Sequence, residues 1–319
     1  MNEKYRFFVF SDVHGEYDAL ANGLKEAGYD PCNPKHKLIS LGDNFDRGSG
    51  SAQVYRYLVQ NHAICVKGNH DVMFEEYLDK GMDGEFVLFN ILHNGLGATI
   101  KSFANLPQDL THIDIPTLQR ARQFNHWQEV REWIKAMPLY YETKNFIFVH
   151  AGIDPKVLNW KDTSEDFMLW DIEHSHQQIG YMNKKVVIGH HHAFRVRRNG
   201  EAAGQKESAP GSMFFSKLAF FGNTDENRPY LYQNKIALDG CTNLTKKVNI
   251  MVFEDEMMPK TTKAPGEVEE PTIVSAGYAD TTINWADYAT TADFATTAGM
   301  TYTYTYGPNG ETTITGVRI

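Results

Sequence analysis

The chain has 319 residues, 42% of them hydrophobic and 22% charged, with a formal net charge of −9. That balance is ordinary for a folded, water-soluble protein, and the negative charge excludes a general polyanion-binding surface, so broad nucleic-acid affinity is not expected. No apolar run is long enough to span a bilayer, and Met1–Arg6 is charged and passes directly into a strand, so neither a membrane span nor a leader is expected.

Tyr5–Phe10 is the first predicted strand and runs into Asp12-Val13-His14. Lys37–Leu41 leads to Gly42-Asp43, and Ala63–Val66 leads to Gly68-Asn69-His70. These runs are apolar and rich in β-branched or aromatic residues, as strands buried on both faces should be. Cys65 lies in the third of them, and with Cys32 and Cys241 far away in sequence the cysteines read as reduced thiols in a cytoplasmic compartment. The period then changes. Glu85–Asn105 and Pro116–Met137 carry apolar residues at helical spacing, with Phe86, Phe89, Leu92 and Leu96 forming the stripe of the first. Pro116 suits a first helical turn and Pro138 a stop, so residues 85–137 are expected to form a helical cap on one side of the strand ends. His93, His112 and His126 within it read as packing or surface histidines.

Tyr140–Glu142 and Phe146–Val149 flank Thr143-Lys144-Asn145, a hairpin-like connection that ends at His150. Val186–Ile188 leads to Gly189-His190. In residues 199–232, Asn199-Gly200, Gly204 and Pro210-Gly211 break any regular pattern, while Phe214, Phe215, Phe220 and Phe221 are concentrated; this reads as an insertion whose aromatics are satellite core or a substrate platform. Residues 1–258 are thus the expected catalytic domain. Residues 259–275, rich in Pro, Thr, Lys and Glu, read as a linker, and residues 276–319 as a Thr/Ala/Tyr-rich appendage. Within it, Thr301–Tyr306 alternates strictly, Gly307-Pro-Asn-Gly310 supplies a turn and Glu311–Ile319 resumes β-branched residues, a hairpin signal for residues 301–319. This tail could pair with a sheet edge, mediate association between chains or stay unordered, and the oligomeric state is left open.

Five predicted strands therefore end on Asp12 and His14, Asp43, Asn69, His150 and His190. In open α/β sheets, ligands gather outside the carboxyl ends of the strands. Any one Gly-Asp after a strand is an ordinary turn; five such ends together define a metal site. Carboxylate, carboxamide and imidazole ligands without a thiolate suit Mn²⁺, Fe²⁺, Zn²⁺ or Co²⁺. They are too many for one ion that must keep open positions, but shared between two ions they suit the clamp, with metals roughly 3.5–4 Å apart, used for in-line displacement at phosphorus.

Asp12-x-His14, Gly42-Asp43-Asn44-Phe45-Asp46-Arg47-Gly48, Gly68-Asn69-His70-Asp71, His150-Ala-Gly and Gly189-His190 resemble the motifs of the calcineurin-like metallophosphoesterases. The Asp-Arg-Gly ending is similar to the phosphoprotein phosphatase branch, in particular its lambda-type phage and bacterial members, with the diadenosine tetraphosphatases as close relatives. Asn94-Gly95-Leu96-Gly97-Ala98-Thr99 and Leu238-Asp239-Gly240-Cys241 also resemble elements of that group. The likeness spans roughly residues 5–255.

The resemblance implies an α/β fold of two packed mixed β-sheets flanked by helices, with a small carboxyl-terminal β-like appendage. It implies a Mn²⁺-dependent Ser/Thr-type protein phosphatase with broad side activity, acting through a metal-bound hydroxide on phosphoprotein or a small phosphorylated substrate. The alternatives are a dinucleoside polyphosphate or other nucleotide phosphohydrolase, and a catalytically weak binding protein. By the same resemblance Asp12, His14 and the bridging Asp43 would hold the first metal, and Asp43, Asn69, His150 and His190 the second. His70 would protonate the leaving group, Asp46 would orient His70, and Arg47, with Asn69, would bind phosphate. Where relatives carry an Arg after a Trp resembling Trp170, Asp171 stands here, so the second phosphate-binding arginine is sought among Arg195, Arg197 and Arg198. Lys67 stands where many relatives carry Arg. His192, two residues past His190 and on the same side of an extended segment, is a further candidate ligand for the first metal.

Overall fold

The computed structural model describes residues 3–81, 85–106, 121, 127–180, 183–209, 212, 215–258, 300–306 and 312–318. Strand β1, Lys4–Phe10, shows why its sequence has no polar alternation: Phe7, Val9, Phe8 and Phe10 are all fully buried. Successive side chains point to opposite faces. Phe7 and Val9 enter the core between two sheets, whereas Phe8 and Phe10 pack under helices.

The first sheet has the order β3-β2-β1-β10-β7, with β2 at His36–Ser40, β3 at Ile64–Cys65, β7 at Ala219–Phe221 and β10 at Ile250–Glu256. β1, β2 and β3 are parallel, and β10 is antiparallel to both β1 and β7. The second sheet has the order β4-β5-β6-β9-β8, with β4 at Tyr140–Glu142, β5 at Phe146–Val149, β6 at Lys185–Ile188, β8 at Tyr230–Tyr232 and β9 at Lys235–Ala237. β5, β6 and β9 are parallel, with antiparallel edges β4 and β8. Phe146, Phe148, Val187, Leu231 and Ile236 from the second sheet meet Phe7, Val9, Ile39, Met251 and Phe253 from the first. Helices Tyr17–Glu26, Ser51–Gln60 and Asn69–Lys80 cover the outer face of the first sheet through Leu20, Leu24, Val54, Leu58 and Phe74. Met168 and Val196, from helices Glu165–Trp170 and Ala193–Ala202, join the core on the outer face of the second. Two packed mixed sheets flanked by helices are thus the architecture of the chain.

Two expectations require correction. Residues 85–103 are not one helix with a Phe86–Phe89–Leu92 stripe inward. Helix Glu85–Phe89 passes into a π-helical turn, Asn90–Asn94, and a new helix, Leu96–Phe103, starts after Gly95 at φ +91°. The wider turn shifts the periodicity. Val87 and Ile91 are buried, while Phe86, Phe89 and Leu92 are 47%, 52% and 45% exposed; only Leu96 of the expected stripe lies inside. Second, Asn199-Gly200 does not break the chain, because helix Ala193–Ala202 runs through it. Gly200 is needed there because a Cβ would overlap Tyr230 Oη.

Within the remaining part of the expected cap, helix Trp127–Lys135 is described, whereas His112, His126 and the rest of 107–126 apart from Ala121 lie outside the described residues. His93 is exposed, its ring against Phe89 at 4.7 Å between centroids. In the 199–232 segment Phe215 is fully buried in the intersheet core, with Phe220 packed against it, and Phe221 packs against the core on the outer face of the first sheet; Pro210, Gly211 and Phe214 lie outside the described residues. Strand β11, Met300–Tyr306, pairs antiparallel with β12, Thr312–Arg318, matching Met300 to Arg318 and Tyr306 to Thr312. The expected linker, 259–275, and residues 276–299 of the expected appendage lie outside the described residues.

Candidate active site

The carboxyl ends of β1, β2, β3, β5 and β6 come together as backbone loops bonded to one another. Asp12 N–H donates to the Gly42 carbonyl (3.1 Å), His14 N–H to Asp43 (3.0 Å), and Gly189 N–H to His150 (2.8 Å). Asp12, His14, Asp43, Asp46, Arg47 and His190 all have left-handed backbones, with φ between 47° and 71°. Asp and His tolerate this conformation better than most residues; Arg47 is the costly one, at about 1–2 kcal/mol. Gly189 lies so close to the first loop that a Cβ would overlap Ser11 Oγ and Asp12 Oδ2.

Asp43 stands at the centre, only 2% exposed. His150 Nε2 lies 3.3 Å from its Oδ1, His14 Nε2 lies 3.7 Å from its Oδ2, and His70 Nε2 lies 4.0 Å from the same oxygen. The donor atoms form two groups that share Asp43: His14, Asp43 and His70, and Asp43, His150 and His190. Second partners decide which imidazole nitrogen is free. His14 Nδ1–H donates to the Phe45 carbonyl (2.9 Å) and His150 Nδ1–H to the Leu41 carbonyl (2.7 Å), so both present Nε2 lone pairs towards Asp43. Burial pushes the His14 imidazole well below its ordinary range and His190 down to about 3, which keeps both neutral. Asp12 Oδ2 accepts from Ser11 Oγ–H and from His190 N–H (3.0 Å); burial, then the neighbouring Asp43 charge, push Asp12 up to about 6.

The Asn69 carboxamide lies between His150 Nε2 at 2.9 Å and His190 Nδ1 at 3.0 Å. Its amide group could donate to both and to Asp43 at 3.3 Å, while its oxygen in the same position meets only other acceptors. A cation among these lone pairs would relieve that conflict. Convergent carboxylate, carboxamide and neutral imidazole groups therefore fit divalent metal ions of the N/O-binding kind.

His70 is held differently. Its Nδ1–H donates to Asp46 Oδ2 at 2.7 Å, and its backbone N–H to Asp43 Oδ1 at 2.9 Å. Burial works to lower the His70 pKa, but the Asp43 charge and the Asp46 hydrogen bond outweigh it and raise it above the ordinary value. Arg47 reaches both histidines, with Nη1 2.9 Å from His14 Nε2 and Nη2 3.1 Å from His70 Nε2.

His192 belongs to neither donor group. Its Nε2 lies 3.7 Å from Asp239 Oδ2, and its ring stacks on Phe194 at 5.6 Å. His191 turns away, with Nδ1 2.7 Å from Ser175 Oγ, whose own proton goes to the Ile172 carbonyl. Arg197 is tied to Glu207 and to three backbone carbonyls, Arg198 to Glu226, and Lys67 to Glu75 at 2.9 Å. Arg195 is exposed, and burial, then its charge, lowers the pKa of both His191 and His192, so of the three arginines it is the one near the site without such a commitment. Trp170 faces the His190 ring at 6.5 Å and lines an open groove with Val72, Ser164, Glu165, Asp166 and Leu169.

Sequence reasoning assigned no role to three buried residues that shape the site. Asp71 accepts from the backbone N–H of Asp43 (3.1 Å), Asn44 (3.3 Å) and Gly68 (2.9 Å), and so fixes the Asp43 loop to the Asn69–Lys80 helix. Asp239 follows β9 and faces His192. Thr99, on helix Leu96–Phe103, bonds Asp46 twice. The motif likeness covered all three, but the bonds of Asp71 to Asp43 and Asn44 and of Thr99 to Asp46 join residues 27 to 53 positions apart, which no local pattern reveals.

Residues 5–236 match the calcineurin-like phosphoesterase family, and the chain belongs to it. Over 81 residues it is 42% identical to serine/threonine-protein phosphatase 2 of Escherichia coli (strain K12), covering 25% of this chain and 36% of that protein. Over 153 residues it is 26% identical to the symmetrical bis(5'-nucleosyl)-tetraphosphatase of Pseudomonas fluorescens, covering 47% of this chain and 43% of that one. The chain thus spans less than half the length of these relatives. Among solved structures it is similar to a cold-active protein-tyrosine phosphatase of a psychrophilic Shewanella, at a TM-score of 0.45 and 15% identity, over 78% of this chain and 75% of that one.

Proposed function

We propose that the chain hydrolyses phosphomonoesters with the help of two divalent metal ions, Mn²⁺ first among them, and that its substrates are phosphoserine and phosphothreonine in proteins. The observation that carries this reading is the position of Asp43 between two imidazole groups, with a His70–Asp46 pair beside it. Asp12, His14 and Asp43 would hold one ion, and Asp43, Asn69, His150 and His190 the other; His192, next to Asp239, is a further candidate for the first. Bound divalent ions would activate a water and polarise the phosphoryl oxygens.

The chain's own groups do the rest. His70 keeps its Nδ1–H bonded to Asp46 throughout, so as the imidazolium it would release its second proton from Nε2 to the departing oxygen and be left as the neutral Nδ1–H ring. Asn69 and Arg47 would orient phosphate, Arg47 through a planar fork that matches two of its oxygens, and in doing so it would give up its bond to His14 Nε2. Arg195 supplies the second guanidinium, since Arg197 and Arg198 are paired elsewhere. Residues 1–258 form the catalytic unit in this reading. The three cysteines, all free, support a reducing, cytoplasmic setting, and among the described residues no helix is long and apolar enough to cross a membrane.

Hydrolysis of dinucleoside polyphosphates is the second reading, favoured by the Pseudomonas fluorescens relative, which matches more of the chain. Glu165 and Asp166 in the groove beside Trp170 weigh against it, because carboxylates repel a polyphosphate chain. A panel of phosphoserine and phosphothreonine peptides set against diadenosine tetraphosphate separates the two. The proposal expects kcat/KM to be at least about tenfold higher on the peptides, a gap of 1.4 kcal/mol in transition-state binding. A preference for the tetraphosphate would overturn it.

A further inference from the structure

We propose that Thr99, backed by Ser51, is a positioning residue that locks the Asp46–His70 pair into one tautomer and one orientation. The inference rests on the reading of His70 as proton donor, and it concerns residues that lie outside the metal-binding motifs.

Asp46 and Arg47 are consecutive residues in left-handed backbone, at φ 71° and 65°. Such a turn needs outside support, and helix Leu96–Phe103 gives it. Asp46 N–H donates to Thr99 Oγ1 at 2.7 Å, and Thr99 Oγ1–H donates back to Asp46 Oδ1 at 2.9 Å. Arg47 N–H donates to the Gly95 carbonyl at 3.2 Å, and a Cβ on Gly95 would overlap Arg47 N. Asp46 and Thr99 are fully buried, so water does not replace these bonds.

A hydroxyl has one proton, and that fixes the direction of the whole chain. Since Thr99 gives its proton to the Asp46 carboxylate, Ser51 Oγ–H at 3.1 Å must donate to Thr99. Ser51 to Thr99 to Asp46 Oδ1 is then one file of donors, and His70 Nδ1–H arrives at Oδ2 from the other side. With Oδ1 held by Thr99 and the carboxylate plane set, Oδ2 faces His70 as an acceptor, so the ring keeps a proton on Nδ1 and Nε2 is left pointing into the site. Without the hydroxyl, Asp46 loses one oxygen partner and the support of its backbone N–H together, and the carboxylate is free to rotate.

The test compares Thr99→Val, which keeps the shape and removes the hydroxyl, with Thr99→Ser, which keeps the hydroxyl. Two readouts are used on the full chain. The first is turnover of a phosphoserine peptide, whose alkoxide needs a proton, against p-nitrophenyl phosphate, whose leaving group does not. Thr99→Val is expected to slow the peptide roughly 10–100-fold, p-nitrophenyl phosphate less than about threefold, with Thr99→Ser restoring the peptide rate. The second is the ¹⁵N signature of the His70 ring in Zn²⁺-loaded protein. With the ring titrated to its neutral form, a single Nδ1–H tautomer is expected in the parent and in Thr99→Ser, and a mixture in Thr99→Val. Equal losses on both substrates without rescue by Ser, or an unchanged His70 tautomer in Thr99→Val, would overturn the proposal. If the parent chain hydrolyses neither phosphate, the phosphatase reading fails, and the ring signature still decides what Thr99 does.

Discussion

His70 has one nitrogen tied to Asp46 at 2.7 Å and the other turned towards the site, and in the proposed role of proton donor the effect of losing it depends on the leaving group. A general acid contributes about 10²–10⁴ in rate. His70→Asn is therefore expected to slow phosphopeptide hydrolysis about 10²-fold or more and p-nitrophenyl phosphate hydrolysis far less, with bound metal retained. Steady-state kinetics on both substrates checks it, and equal losses would assign His70 a structural or ligand role. His192 is a separate matter. It sits 3.7 Å from Asp239 and outside the two groups of donors around Asp43. If it ligates the first metal all the same, His192→Ala weakens one binding event in calorimetric Mn²⁺ titration and His190→Ala weakens the other. Two-metal binding left unchanged by His192→Ala would place it among the supporting residues.

At the scale of elements, helix Glu85–Phe89 and the π-turn after it make a test of packing. Ile91 is 2% exposed and Phe89 is 52% exposed, although the helical period of the sequence points Phe89 inward. Ile91→Ala is expected to cost about 2–4 kcal/mol, as large-to-small changes in a core do, and Phe89→Ala within about 0.5 kcal/mol. Chemical denaturation of the two variants measures both; the reverse order would mean that the helix faces the other way. The same element shows where a single sequence stops being readable. Strand ends were legible because Phe7–Phe10, Phe146–Val149 and Val186–Ile188 are apolar on both faces and stop at Ser11-Asp12, His150 and Gly189-His190. The stripe was misread because a π-turn changes the period without any marker in the residues, and Gly200 was misread because the reason for it is Tyr230, thirty positions on. The support that Thr99 and Asp71 give Asp46 and Asp43 was hidden for the same reason, since it exists only once helices Leu96–Phe103 and Asn69–Lys80 have met the strand loops.

For the whole molecule, the two sheets divide the site between them. β1, β2 and β3 deliver Asp12, His14, Asp43, Asn69 and His70, while β5 and β6 deliver His150 and His190. Ligand binding therefore spans the intersheet core made by Phe7, Val9, Phe146 and Phe148, and metal should stabilise the packed state as any ligand of the folded form does, by about 2.7 kcal/mol at a hundredfold excess over Kd. Asp43 is the residue that both halves share. The most direct measurement is a Mn²⁺ titration of the chelator-stripped chain that follows bound metal and p-nitrophenyl phosphate turnover together, in the parent and in Asp43→Asn. Two bound equivalents are expected in the parent, with turnover rising as the second binds, and in Asp43→Asn lost occupancy with turnover reduced about 10²-fold or more. Full turnover in the stripped chain, or two tightly bound ions and normal activity in Asp43→Asn, would contradict it.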